Sequence, residues 1–121
     1  MRIADFGSSV KLRAANDSAN FVIGSAGYMA PEVASGEEYS LGCDIWGIGA
    51  LMHLLLSFKL PFVNEENSGI LEYKIRACIE PLDLESDECL SQLSEPAKDL
   101  LRCMLDKEPQ SRPSIEQVLA H

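Results

Sequence analysis

The feature that most constrains this chain is the stretch 44–56, which is apolar on nearly every side of the helix that it would form. A helix that is apolar all round has to be enclosed by protein or by lipid. This stretch is too short for lipid, because crossing a bilayer takes about 20 apolar residues. We therefore predict a central helix buried within the protein. Gly47 and Gly49 each lower its helix propensity by about 1 kcal/mol relative to Ala, which indicates that another element packs closely there.

Two further helices are predicted, one before the central stretch and one after it. Pro31 suits the first turn of a short helix that starts just after Ala30. Ser68 is a suitable N-cap for the next helix. The apolar residues after it recur at helical spacing and predict one buried stripe. The members of that stripe are Leu71, Ile75, Cys78 and Ile79.

Start signals also predict the last two helices. Ser94 and Pro96 mark the beginning of an amphipathic helix. Its apolar side consists of Ala97, Leu100, Leu101, Met104 and Leu105. Ser114 and Gln117 have the spacing of a capping box, in which each side chain bonds the other residue's backbone amide. A final helix is therefore expected from Ser114.

The N-terminal quarter of the chain has a different character. Residues 1–6 form a short apolar run that suits a brief strand stopped by the turn at Gly7. Residues 8–23 are small and polar without a sustained period, which predicts a loop. No run typical of a strand follows Gly7. The predicted fold class is mainly α, with at most one short N-terminal strand.

Charge and cysteine usage limit the classes of partner. Ten Lys and Arg stand against nineteen Asp and Glu, a formal net charge of -9. Nucleic acid and anionic membranes are poor partners for such a chain, since phosphate binding relies on Lys and Arg. The acidic residues crowd between 65 and 95, and they form either a solvated face or a dock for basic peptides. The four cysteines include no C-x-x-C pair, which favours reduced thiols in an intracellular protein, cytoplasmic or nuclear.

Five short motifs occur in a fixed order along the chain. They are D-F-G at 5–7, G-S-x-x-Y at 24–28, A-P-E at 30–32, D-x-W-x-x-G at 44–49 and the arginine Arg112 near the end. Together they resemble the protein kinase family, in its Ser/Thr-type branch, from the magnesium-binding loop to the last helices. The resemblance implies the helical C-terminal lobe of the kinase-like fold. Residues 1–121 would be a partial kinase domain, with an activation segment at 5–32 and a helical subdomain at 33–121.

The resemblance implies roles for the first motif. Asp5 would hold the Mg²⁺ that offsets the negative charge of ATP during phosphoryl transfer. Phe6 would be the apolar plug whose packing decides whether that carboxylate points inward. Gly7 would supply the backbone freedom for the two states. Taken without the later motifs, Asp5 reads as an aspartate at an ordinary turn.

The resemblance also implies a structural set. Glu32 and Arg112 would form a buried ion pair that ties the end of the activation segment to the last helices. Asp44 would accept hydrogen bonds from the backbone of the catalytic loop. Trp46 is a core residue on every interpretation. None of these residues is expected to react.

Two positions in the activation segment bear on specificity and control. Ser25 lies where Ser/Thr kinases carry a hydroxyl that helps to place the acceptor alcohol, although Thr is commoner there. Met29 would line the pocket for the next substrate residue, or simply belong to the core. The usual activating phosphosite falls at Phe21, which cannot be phosphorylated, and Ser18 is the nearest possible phosphosite.

Several parts of a working kinase are not found in these 121 residues. They are the glycine-rich loop, the strand lysine and the H-R-D-L-x-x-x-N catalytic loop. We therefore expect an enzyme only in a complete Ser/Thr kinase, with ATP and Mg²⁺ as cofactors and a protein as substrate. This chain alone is predicted to be inactive and to bind neither cofactor tightly. The alternative is a truncated kinase-like module that binds a protein partner. Either way, apolar surface should be exposed around Trp46.

Overall fold

The structure is a computed structural model that describes residues 2–13, 17–63 and 69–121. Its regular elements are helical, as predicted. They are the helices α1 (Pro31–Ser35), α2 (Gly42–Ser57), α3 (Ile70–Ile79), α4 (Glu88–Ser91), α5 (Glu95–Met104) and α6 (Ile115–Ala120), with a 3₁₀ turn at Phe6–Ser8. Within the described ranges there is no strand. An isolated antiparallel bridge joins Ala19 to Tyr39.

The brief strand expected at the N-terminus does not form in residues 2–5. Asp5 instead adopts a left-handed conformation with φ of 60°. Its carboxylate accepts a hydrogen bond from the Gly7 amide, which starts the 3₁₀ turn. Asp tolerates this region better than most residues, because its short side chain bonds the backbone locally. Local capping therefore overrides the extended tendency of the preceding apolar run.

Helix α2 is the centre of the fold, and it packs against α4 and α5. A Cβ added to Gly49 would lie 3.0 Å from Met104 Cβ and from Leu105 Cγ. The glycine therefore allows the end of α5 to approach closely, as its position in the helix suggested. Gly47 is different, because the nearest atom to its added Cβ is the Tyr28 carbonyl oxygen at 3.7 Å, an ordinary contact.

Helix α2 is not enclosed on every side, so the prediction of a central helix buried all round is wrong for this chain. Trp46 and Ala50 are fully buried, and they face the core. The opposite side exposes Ile48, Leu51 and Leu55, with Leu55 69% accessible. The exposed apolar surface that we expected around Trp46 is therefore on the far side of the helix from the indole. Among the described residues, no helix is both long and apolar enough to cross a membrane.

Helix α3 buries a different face from the predicted one. Leu71, Ile75 and Ile79 are each more than half exposed, whereas Tyr73 and Ala77 are buried. The buried pair is also four residues apart, so it lies on one side of the helix, and α3 packs with it against α1. The predicted cap Ser68 lies outside the described residues.

The last two helices begin where their start signals indicated. Ser94 is the N-cap of α5, with a proline in its first turn. Leu101 and Met104 are buried, which confirms the predicted apolar side. At α6 the capping box forms, with the Ser114 amide donating to Gln117 Oε1 at 2.7 Å and the Gln117 amide donating to Ser114 Oγ at 3.3 Å.

Candidate functional site

A buried ion pair joins two distant motifs. Glu32 lies in the first turn of α1, where the helix dipole favours a negative charge. Arg112 lies between α5 and α6 and donates Nη1 to Glu32 Oε1 and Nη2 to Glu32 Oε2, both at 2.7 Å. The two side chains are at most 4% exposed. This two-pronged geometry fixes orientation as well as neutralising both charges.

The remaining donors of Arg112 are also satisfied. Its Nε donates to the Asp106 carbonyl at 2.7 Å, and its Nη1 also donates to the Gly42 carbonyl at 3.0 Å. The guanidinium therefore connects α1, the start of α2 and the turn after α5. A cation held this completely has no free donor to offer a substrate, so the arrangement is a structural joint.

Trp46 packs directly against this joint. The guanidinium carbon of Arg112 lies 5.1 Å from the centre of the indole ring, within cation–π range. Phe62 stacks on the indole with ring centres 5.6 Å apart and an interplanar angle of 21°. Lys107 Nζ lies 4.3 Å from the centre of the Phe62 ring. These three contacts connect Trp46 of α2 to Phe62 in the linker after it and to the two cations that follow α5.

Tyr73 extends the cluster to the segment that precedes α1, and sequence reasoning missed it. Its hydroxyl accepts a hydrogen bond from Trp46 Nε1 at 3.3 Å and donates to the backbone carbonyl of Met29. Burial raises the pKa of Tyr73 to about 12, so the hydroxyl keeps the proton that it donates. Met29 is 5% exposed and belongs to the core cluster, the second of its two predicted readings. The signal available in the sequence was the four-residue spacing of Tyr73 and Ala77.

The junction of Glu32, Trp46, Tyr73 and Arg112, the scaffold junction below, therefore needs residues from four separate parts of the chain. Its polar atoms pair with one another or with backbone carbonyls. No buried side-chain nitrogen or oxygen lacks a partner within the described part of the chain. This satisfaction is what a buried charge requires to be tolerated.

Residues 24–28 form a tight turn beside the scaffold junction. Gly24 and Gly27 have φ of 126° and 93°, values that favour glycine. The Tyr28 amide donates to the Ser25 carbonyl at 3.2 Å, and Ser25 itself is exposed. A Cβ on Gly27 would lie 2.8 Å from Leu60 Cδ1, so this glycine also permits the linker after α2 to approach. Sequence reasoning did not single out Gly27.

The D-F-G residues differ from the scaffold junction in being exposed to solvent. Asp5, Phe6 and Gly7 are all exposed, and Phe6 is 67% accessible. The Asp5 carboxylate contacts the Gly7 amide at 3.4 Å. A carboxylate oxygen is a ligand type that Mg²⁺ accepts. However, the described residues contain no group of three His, Cys, Asp or Glu side chains that could hold a metal ion. Asp5 thus fits as one ligand and does not form a site by itself.

Asp44 is exposed in the first turn of α2. Its neighbour Cys43 contacts it through sulfur at 3.9 Å. Burial, followed by the nearby carboxylates of Asp44 and Glu32, raises the pKa of the Cys43 thiol to about 11. This cysteine is therefore a neutral packing residue at physiological pH and a poor nucleophile.

Known proteins match the chain over its whole length. The sequence model described as "Protein kinase domain" matches residues 1–121. The chain is 36% identical over its full length to calcium-dependent protein kinase 8 of Oryza sativa subsp. japonica, of which it covers 21%. It is 38% identical to calcium-dependent protein kinase 25 of Arabidopsis thaliana, covering 22% of that protein. It is 36% identical to ribosomal protein S6 kinase alpha-1 of Rattus norvegicus, covering 16%. The chain thus spans about a fifth of the length of these relatives.

Proposed function

The chain belongs to the protein kinase domain family, and on that premise we propose that it is the activation segment and helical subdomain of a serine/threonine protein kinase. The complete enzyme transfers the γ-phosphoryl group of ATP to a Ser or Thr hydroxyl of a protein substrate. These 121 residues alone have no phosphoryl-transfer activity, because they contain no H-R-D-type catalytic loop and no nucleotide-binding lysine strand.

The observation that carries this proposal is the Glu32–Arg112 pair. The two residues are 80 positions apart, and each belongs to a different family motif. They meet in a buried, two-pronged ion pair of the kind that the kinase resemblance implies. A chance likeness of short motifs would not bring these side chains to 2.7 Å of each other in two places.

Ser25 is proposed to position the substrate hydroxyl. Over its full length the chain matches relatives that are named as a calcium-dependent protein kinase, a ribosomal protein S6 kinase and a "Probable myosin light chain kinase". Ser25 is exposed on the turn between Gly24 and Gly27, so it can be reached by a protein segment. A hydroxyl there supports Ser/Thr specificity.

ATP and Mg²⁺ are cofactors of the complete enzyme in this proposal. Asp5 would hold the Mg²⁺, which supplies charge neutralisation on the phosphates when bound. Phe6 and Gly7 are exposed, so Asp5 can change its orientation without displacing a buried side chain of this motif. This exposure supports a switch at that position. Asp44 is proposed to orient the catalytic-loop backbone from the start of α2. The four cysteines are free thiols, which supports an intracellular location, cytoplasmic or nuclear.

The test begins with the reading frame that precedes Met1 in the transcript. We expect it to encode a lysine strand and an H-R-D-L-x-x-x-N loop. The protein expressed with that segment should phosphorylate Ser/Thr peptides and not Tyr peptides. Ser25→Thr should retain activity, and Ser25→Ala should reduce it by about tenfold or more. Equal activity of the Ala and Thr variants would remove Ser25 from the proposed role.

The second candidate function is a kinase-like module that binds a protein partner. The exposed apolar side chains of α2 and α3 favour it, because apolar surface of this kind marks interaction sites. A stop codon in the preceding frame would leave this candidate standing and end the enzyme proposal. Binding of ATP with Mg²⁺ to the 121-residue chain at micromolar affinity, lost in Asp5→Ala, would contradict the inactivity that we propose.

A further inference from the structure

The turn at residues 24–28 packs against two other parts of the chain. A Cβ on Gly27 would lie 2.8 Å from Leu60 Cδ1, so the linker after α2 lies directly against the turn. The Tyr28 carbonyl oxygen lies 3.7 Å from the position of a Cβ on Gly47, which brings α2 against the end of the turn. These contacts limit the space around the turn, but packing alone does not fix which backbone group lies where.

Tyr73 adds a directional contact to this packing. Its hydroxyl donates to the carbonyl of Met29, the residue that directly follows the turn, and accepts a hydrogen bond from Trp46 Nε1 at 3.3 Å. Tyr73 and Met29 are 3% and 5% exposed, so the bond is shielded from competing water. A hydrogen bond depends on both distance and angle, and this one therefore fixes the position of a single carbonyl at the end of the turn.

The side chain of Met29 extends the same constraint to the start of the turn. Its Cε lies 3.6 Å from the position of a Cβ on Gly24, and Ser25 follows Gly24 directly. The Tyr28 amide closes the turn by donating to the Ser25 carbonyl at 3.2 Å. A shift of the Met29 backbone would therefore be passed to Ser25 from both ends of the turn.

We propose that Tyr73 is a positioning residue for Ser25: through the Met29 carbonyl, its hydroxyl sets where the Ser25 hydroxyl lies on the turn. Because Tyr73 is buried whereas Ser25 is exposed, Tyr73 acts through Ser25 and not by contact with a substrate. The effect of Tyr73 on the turn is independent of catalysis, whereas its effect on a substrate rests on the proposed function, in which Ser25 places the acceptor hydroxyl.

Amide hydrogen exchange of the 121-residue chain, followed residue by residue by NMR, tests the effect on the turn. Tyr73→Phe keeps the buried ring and removes the donor to the Met29 carbonyl. The Tyr28 amide should then exchange about fivefold faster or more, because the turn that it closes opens locally more often.

Leu101→Val is the control for a general loss of stability, because it removes buried packing in α5. It should accelerate the Leu105 amide, which donates to the Leu101 carbonyl at 3.0 Å, and leave the Tyr28 amide within about twofold of wild type. An exposed turn exchanges by local opening, so the stability of the whole fold does not limit its rate. The positioning role is overturned by a Tyr28 amide that is unprotected in wild type, unaffected by Tyr73→Phe, or accelerated equally by Leu101→Val.

Kinetics of the protein expressed with its preceding segment test the effect on a substrate. Tyr73→Phe should lower kcat/KM for a Ser/Thr peptide by about tenfold and leave the KM for ATP within about twofold of wild type, because only the acceptor is misplaced. The double variant with Ser25→Ala should lose no more than Ser25→Ala alone, since the two residues act through one hydroxyl.

A general loss of folded enzyme would give a different kinetic pattern, in which the losses of Tyr73→Phe and Ser25→Ala add. Additive losses, or a rise in the KM for ATP as large as the fall for the peptide, would remove Tyr73 from the positioning role. A wild-type protein that phosphorylates no Ser/Thr peptide would end the proposed function, and the exchange measurement would still decide the effect of Tyr73 on the turn.

Discussion

The scaffold junction and the D-F-G tripeptide both contain kinase motif residues, but they differ in burial and in the number of polar contacts that they make. In the scaffold junction, Glu32 and Arg112 are buried and every polar group has a partner within the chain. In the tripeptide, Asp5 and Phe6 are exposed, and the Asp5 carboxylate bonds only to the nearby Gly7 amide among the described residues. The polar contacts of the scaffold junction are made within the described residues, whereas Asp5 belongs to no group of three potential metal-ligand side chains there.

The largest effect is expected from breaking the scaffold junction. Arg112→Met keeps an apolar stem against Trp46 but leaves the Glu32 carboxylate buried without its cation. We expect the free energy of unfolding to fall by about 3–5 kcal/mol. Urea unfolding followed by the fluorescence of Trp46, the single tryptophan, measures it.

The double variant Glu32→Leu with Arg112→Met is the control for that experiment. It removes both charges, so no unpaired ion remains in the interior, and it should lose less stability than Arg112→Met alone. A loss below about 1 kcal/mol in Arg112→Met would mean that the pair is solvated in solution. The contrast between the two regions would then disappear.

A smaller effect is expected at Tyr73, which connects α3 to the segment before α1. Tyr73→Phe keeps the ring and removes the hydroxyl that bonds Met29 and Trp46. Leaving a buried carbonyl and an indole N–H without this partner should cost about 1–3 kcal/mol. The control Tyr28→Phe, on a tyrosine that is 37% exposed, should change stability by less than about 0.5 kcal/mol.

The same variant changes the pH dependence of stability at alkaline pH. Burial raises the pKa of Tyr73 from 10.0 to about 12 in the folded chain. A raised folded pKa means that the stabilisation is complete below pH 10 and is lost as the pH rises toward about 12. Wild type should therefore lose stability across this window more steeply than Tyr73→Phe. Cys43, whose pKa is raised to about 11, contributes a loss that both proteins share.

The fold was predictable where a local signal decides it. The capping box at Ser114 and the start at Ser94 act within one helical turn, and both helices begin there. The buried face of α3 was not predictable in this way. Leu71 and Ile75 recur at helical spacing, but so do Tyr73 and Ala77, and only the second pair fits against α1. Periodicity identifies candidate faces, while the shape of the neighbouring helix chooses among them.

The candidate site likewise depends on contacts that no local sequence signal predicts. No local pattern links Glu32 to Arg112 across 80 positions, and their pairing was expected only from the family resemblance. Tyr73 and Gly27 were missed because their importance comes from neighbours that are distant in sequence: the Met29 carbonyl for the first and Leu60 for the second. Long-range polar contacts of this kind are a property of the packed chain.

The smallest effect is expected at Asp5, and it sharpens the comparison from the other side. Asp5→Asn removes the charge and retains a residue that tolerates the left-handed backbone at φ of 60°. Because the side chain is exposed, stability should change by less than about 0.5 kcal/mol. Millimolar Mg²⁺ should leave the Tm of both proteins unchanged, since one carboxylate without phosphates is a weak magnesium ligand. A rise in Tm with Mg²⁺ that Asp5→Asn abolishes would show that the chain supplies further metal ligands beside Asp5. The two regions would then differ in burial, but both would have their partners within the chain.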